Sequence, residues 1–146
     1  FFTKESCIYT NPVTKEELLE NTEAISLAPG IYQNLIEKEY ELRCNIIGNN
    51  VFTIKIDSQK QKSTQLDWRT DPFHNIYEIS SLSKATEIKL LEFHNKMGLI
   101  YATYDFIVDK NGNEIFLECN PSGQWVWTDE KLSNDMGDAF LAELGY

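Results

Sequence analysis

The chain of 146 residues has no cysteine pair at redox or metal-binding spacing. Its three cysteines, Cys7, Cys44 and Cys119, are odd in number and far apart, so neither a disulfide framework nor a zinc site is indicated, and a reducing cytoplasm is the default location. No apolar run approaches the roughly 20 residues that cross a bilayer, and the opening FFTKESC has no basic-then-apolar signal-peptide pattern. Basic residues are scarce: 13 Lys and Arg stand against 23 Asp and Glu, a net charge of -10. No Lys/Arg run outweighs its acidic surroundings, which argues against a nucleic-acid backbone or an anionic membrane as partner. The seven glycines are scattered, with neither a flexible phosphate-covering loop nor a dinucleotide fingerprint among them. There is no convincing Ser/His/Asp or Cys/His arrangement, and His74 and His94 read as loop and helix-surface residues. The chain does not start with Met, which leads us to expect a piece of something longer.

What is present suffices for one core, with 42% hydrophobic residues and 12% aromatics. After a strand-like start, Thr14 and Glu17 form a Thr-x-x-Glu capping box that opens a short polar helix. Pro29 and Gly30 break the chain, and the segments IYQNLI, EYELRCNII and VFTIKIDS follow, the last two read as strands joined at Gly48-Asn49-Asn50. A three-residue loop there would oppose Leu42, Cys44 and Ile46 to Ile56, Ile54 and Phe52, leaving Glu41, Arg43, Lys55 and Asp57 on the other face. Residues 58–73 are loop-like. A serine cluster leads into the helix LSKATEIKLLEFHNKM, stopped by Gly98. The strand IYATYDFIV, an Asn111-Gly112 hairpin turn, the strand EIFLEC and the turn NPSG come next, and the tail from about Ser133 to Leu144 reads as an amphipathic helix.

With Asn111 and Gly112 as the two central turn residues, Asp105 lies opposite Glu118 and Thr103 opposite Asn120, all on one face. Opposed Cβ atoms sit about 4.5–5.5 Å apart, and like charges there repel. A cation must offset that repulsion, or one acid must hold a proton. Two carboxylates and the Asn120 carbonyl suit Mg²⁺, which takes one or two protein carboxylates and leaves its other positions to water and phosphates. The plain alternative is a solvated acidic hairpin with Lys or Arg nearby. A calcium loop starting at Asp109 fails, because Glu114 stands where that motif needs Gly and Asn120 where it needs Glu.

Asp105 with ECN at 118–120 resembles the metal-binding end of the ATP-grasp ligases. FLECNPSGQW, DWR at 67–69, and the order YQNLI, YELR, GNNVF and IDSQ are similar to the microviridin-type (graspetide) peptide ligases, over nearly the whole chain. The resemblance implies an α/β (α+β) fold: the C-terminal lobe of an ATP-grasp domain, an antiparallel sheet with packed helices. It also implies use of ATP and Mg²⁺ in joining a side-chain carboxylate to a hydroxyl or amine of a precursor peptide, through an acyl phosphate.

The same resemblance distributes roles along the chain. Gln33, Asn34, Leu35 and Ile36 match the hinge along the adenine, and Glu41 matches an acid of the nucleotide pocket, with Glu37 and Glu39 as neighbouring choices. Arg43 and Arg69 would give fixed donors to phosphate oxygens; otherwise Arg43 pairs diagonally with Asp57. Asp105, Glu118 and Asn120 would hold Mg²⁺. Gly123, Gln124 and Trp125 would line the acceptor side, unless Trp125 and Trp127 are core aromatics covering the sheet edge. The lobe bringing a glycine-rich loop and phosphate-binding lysines would precede Phe1, so residues 1–146 are expected to be catalytically incomplete. A homodimer stays open as an assembly. So do two other functions: a non-catalytic domain binding nucleotide, metal or peptide, and an acidic interaction domain for a basic partner.

Overall fold

The computed structural model describes residues 9–27, 30–73, 76–130 and 135–146. The strand-like start, Cys7, Pro29, His74 and Ser133 lie outside these residues. The chain divides into two compact units, Phe1–Ile36 and Glu37–Tyr146.

In the first unit, α1 (Lys15–Glu20) begins as its sequence demands. The Thr14 hydroxyl accepts from the Glu17 amide at 3.1 Å, and the Glu17 carboxylate accepts from the Thr14 amide at 2.7 Å, closing the capping box. A second short helix, α2 (Thr22–Leu27), follows. Residues 31–37 adopt no regular structure, and Gln33, Asn34 and Leu35 are exposed. IYQNLI therefore forms no strand.

The second unit is built on a five-stranded antiparallel sheet in the order β3-β2-β1-β4-β5, formed by β1 (Lys38–Ile47), β2 (Asn50–Asp57), β3 (Ile76–Ser80), β4 (Tyr101–Asp109) and β5 (Glu114–Asn120). β1 is central and buried along Glu41 to Ile47 on both faces. One face presents Leu42, Cys44, Ile46, Ala102, Tyr104 and Phe106 to Leu90 and Leu91 of α3 (Lys84–Lys96). The other packs Ile47 and Ile54 against Met136, Ala139 and Phe140 of α5 (Asp135–Glu143). A sheet covered on both faces by helices is thus the α+β architecture expected.

α3 starts at Ser83, whose hydroxyl accepts from the Thr86 amide, and its C-terminal end is turned by Gly98 at φ 66°. His94 is fully buried with Leu90 one turn before it, and its Nδ1 lies 2.7 Å from the Tyr104 hydroxyl. Burial lowers its pKa, so a surface imidazole is the wrong description of it. β3 is an edge strand, paired only with β2.

The β1–β2 register also differs from expectation. Gly48 and Asn49 alone form the turn, with Gly48 at φ 57°, so Arg43 pairs with Ile54 and Leu42 with Lys55. The three-residue loop would segregate apolar from charged positions. A central strand buried on both faces has no solvated side, so alternation does not choose between registers there.

Candidate functional site

On the face of the sheet away from α3, β4 and β5 bring Asp105 opposite Glu118 and Thr103 opposite Asn120, as expected. The route to that pairing is different. Lys110 and Asn111 form the centre of the turn and Gly112 follows at φ 80°, so near the turn Val108 pairs with Glu114 and Phe106 with Phe116. Continued unbroken, that register would set Asp105 against Leu117. A bulge between Phe106 and Asp105 takes up Leu117 and restores Glu118 to its place. Bulges of this kind re-aim side chains beside functional sites.

Asp105 is largely buried and Glu118 exposed. Burial pushes the Asp105 carboxyl up to about 6, with the adjacent Glu118 carboxyl adding to the rise and Arg43 opposing it. Arg43 itself is only 8% exposed. Its Nη1 donates to both Asp105 oxygens at 3.1 Å, and its Nη2 donates to the Gln124 carbonyl at 3.1 Å. The expected alternative partner, Asp57, instead pairs with Lys60.

Arg69 stands at the half-exposed rim. Its Nε and Nη2 donate to the two oxygens of Asp67 at 2.8 Å, and Asp67 also accepts from the Arg69 amide, capping the short turn Trp68–Thr70. The DWR motif is therefore one self-supporting device: Asp67 orients Arg69 and raises its pKa further. Glu118 and Asp105 also lie close enough to raise it, placing the Arg69 cation in the field of the two acids.

Glu41 is 6% exposed and accepts from Lys38 at 2.5 Å and Ser58 at 2.8 Å, while Lys38 also donates to the Leu66 carbonyl. Burial raises the pKa of Glu41 against the pull of Lys38. Of the neighbouring choices, Glu37 is exposed and bound to Lys110, and Glu39 is exposed. Gln33, Asn34, Leu35 and Ile36 belong to the first unit.

Beyond Asn120 the chain turns sharply. Asn120 Oδ1 accepts from the Ser122 amide at 3.0 Å, and the Gly123 carbonyl accepts from the Tyr101 hydroxyl at 2.7 Å. Gly123 is buried so tightly that an added Cβ would lie 2.4 Å from Thr103 Oγ1. Trp125 and Trp127 do not alternate along a strand, because α4 (Val126–Asp129) starts between them. Trp125 packs on Phe140, and Trp127 on Trp68 and Tyr77. A cleft of about 490 Å³ opens along residues 122–127 and Glu130.

Lys38, Asn45 and Tyr101 have no place in the sequence-based reading of the site. The Asn45 Oδ1 accepts from Thr103 at 2.7 Å, and its Nδ2 donates to Thr128. The available signal was Glu41, Arg43 and Asn45 at every second position of one central strand: three polar groups on a face that buries them.

The donor set fits a magnesium ion. Among the described residues no three His, Cys, Asp or Glu side chains cluster as a metal site. There are instead two opposed carboxylates and an amide oxygen, with a raised Asp105 pKa that a nearby cation would bring down.

No family model and no curated protein matches the chain. Solved structures do. A RiPP-associated ATP-grasp ligase of Chryseobacterium gregarium, in complex with ADP and a leader and core peptide, superposes with a TM-score of 0.84 at 28% identity, covering 94% of this chain and 41% of that one. The macrocyclase MdnC of Microcystis aeruginosa, bound with the precursor peptide MdnA, gives 0.74 at 36% identity over 92% of this chain and 41% of its own. The ATP-grasp ligase PsnB, complexed with a precursor variant, Mg and ADP, shares the fold at 0.64 with 19% identity, over 90% and 41%. The chain thus spans about two fifths of the length of the structures it matches. Fold and sequence together relate it to the ATP-grasp ligases of the RiPP-associated, graspetide branch.

Proposed function

We propose that this chain carries the Mg-ATP end of a peptide-modifying ATP-grasp ligase. The observation that carries the reading is the opposed pair of Asp105 and Glu118 with Asn120 on the same face, in whose field the Arg69 cation lies. In this reading Asp105, Glu118 and Asn120 would hold Mg²⁺, whose charge would neutralise nucleotide phosphates. Arg69, pre-set by Asp67, donates to a phosphate oxygen, and Arg43 acts from beneath the Asp105 carboxylate. Glu41 is assigned to the ribose.

The γ-phosphoryl group of ATP passes to a substrate carboxylate. A hydroxyl or lysine amine of a precursor peptide then attacks the acyl phosphate carbon, inorganic phosphate leaves, and the nucleophile's proton is lost to solvent. Such chemistry rests on positioning and charge neutralisation, which agrees with a site that offers cations and acids but no nucleophile–base pair. The cleft along residues 122–127 is assigned to the acceptor peptide. The glycine-rich loop and phosphate-binding lysines are expected in the part of the relatives' length that this chain does not span.

Calorimetric titration of a non-hydrolysable ATP analogue, with and without Mg²⁺, tests this on the chain and on any longer form of the protein, each beside Glu118→Gln. Metal-dependent binding that the substitution weakens at least tenfold is expected. Binding indifferent to Mg²⁺, or no nucleotide binding in the longer form, overturns it.

A further inference from the structure

Arg43 is a buried cation that does not make the strongest ion pair open to it. A guanidinium binds a carboxylate best with two nitrogens in parallel. Here Nη1 alone reaches both Asp105 oxygens at 3.1 Å, Nη2 is taken by the Gln124 carbonyl at 3.1 Å, and Nε is buried with no partner. Leaving a buried donor unpaired is costly, so something else must fix the group in this orientation.

Two aromatic rings lie against it. The guanidinium carbon is 5.9 Å from the centroid of Trp68 and 5.7 Å from that of Trp127, and the two rings are 5.5 Å from each other. The three groups form a nearly equilateral cluster, extended by Tyr77 at 5.2 Å from Trp127. Trp68 sits in the same short turn as Arg69, and Trp127 in the helix that ends the cleft-lining loop. Cation–π contacts gain strength when desolvated, as here.

We propose that Trp68 and Trp127 are positioning residues that hold Arg43 out of two-nitrogen pairing, so that one buried guanidinium sets both the Asp105 carboxylate and the loop of residues 120–127. The side of Asp105 that faces Glu118 then stays available to a second cation. Without the rings, the guanidinium would be free to rotate, satisfy Nε on Asp105 and draw that carboxylate away from Glu118. The link to metal binding rests on the reading of the site given above; the link between the rings and Arg43 does not.

The test is titration of the chain with Mg²⁺ alone, followed through the amide resonances of residues 105, 118 and 120. Trp127→Leu and Trp68→Leu are expected to weaken Mg²⁺ binding about tenfold, and Trp127→Phe, which keeps a π face, to recover most of it. A role in packing alone predicts lower stability with unchanged affinity in the folded variants, and that result overturns the proposal. If the unsubstituted chain binds no Mg²⁺, the metal reading fails, and the ring–cation link is judged by a double-mutant cycle in denaturant. Trp127→Leu and Arg43→Met should then be non-additive by a factor of three to ten in the unfolding constant, and additivity overturns the link as well.

Discussion

Glu118 illustrates a side chain kept against the stability of the fold. It opposes Asp105 directly on the sheet, and such like-charge pairs cost about 0.2–1 kcal/mol. Glu118→Gln should therefore raise the melting temperature of the metal-free chain by about 1–3 °C while removing its response to Mg²⁺; scanning calorimetry with and without the ion checks both. The Asp105 carboxyl, up at about 6 against an ordinary 3.8, is protonated more readily in the folded state than in the unfolded chain. Its contribution to stability is complete below the ordinary value and declines as the pH rises through 6. Mg²⁺ competes with that proton, so metal affinity should climb between pH 5 and 7, with proton release visible as a buffer-dependent heat; a flat profile would show that Asp105 is no ligand. Cys44 gives a second residue-scale test. It is fully buried, and burial pushes its thiol up to about 12. At pH 8 in the native protein, iodoacetamide should modify the half-buried Cys119 while sparing Cys44 until denaturant is added, as read by peptide mass.

Among the elements, the β4–β5 hairpin and the turn after it determine where the ligands stand. Asn111-Gly112 correctly marked a hairpin, but Lys110 and Asn111 take the turn centre, and the extra residue at Leu117 restores the pairing. Local turn preference and site register are thereby satisfied separately. The next turn tolerates no side chain at Gly123, where a Cβ would meet Thr103 Oγ1 at 2.4 Å and Thr103 Cβ at 2.6 Å. Thr103 is itself fixed by Asn45 at 2.7 Å and cannot retreat freely. Gly123→Ala should cost about 1–3 kcal/mol in urea unfolding and disturb the cleft, whereas alanine at the unconfined Ser122 should cost less than about 0.5 kcal/mol.

For the whole molecule, the residues assigned to metal and phosphate all fall in the unit that begins at Glu37. The sheet unit contains both apolar clusters and the Asp105–Glu118 pair. A chain starting at Glu37 should accordingly keep cooperative unfolding and the Mg²⁺ response, as read by calorimetry; a response lost with residues 1–36 would remove the ion from the sheet unit. Both helix-covered faces follow from β1 being central, a property of strand order and not of any one segment.

That distinction separates what was legible beforehand. Short-range chemistry was readable: the Thr14–Glu17 capping box, the serine-led start and Gly98 stop of α3, and the hairpin all depend on residues close in sequence, whereas Asp105 faces Glu118 only because a bulge offsets the different turn. The motifs FLECNPSGQW and DWR carried the family relationship for the same reason. Only the tertiary structure decided the β1–β2 register, the burial of His94 and the partner of Arg43. Each depends on which strand is central and what covers it, and pairing by alternation assumes a solvated face that β1 does not have. From the sequence Arg43 has two readings, a donor to phosphate oxygens or a partner of Asp57 on an exposed face. Its environment of Asp105, Gln124, Trp68 and Trp127 is drawn from three distant segments, and a buried charge takes its meaning from the groups the fold brings around it.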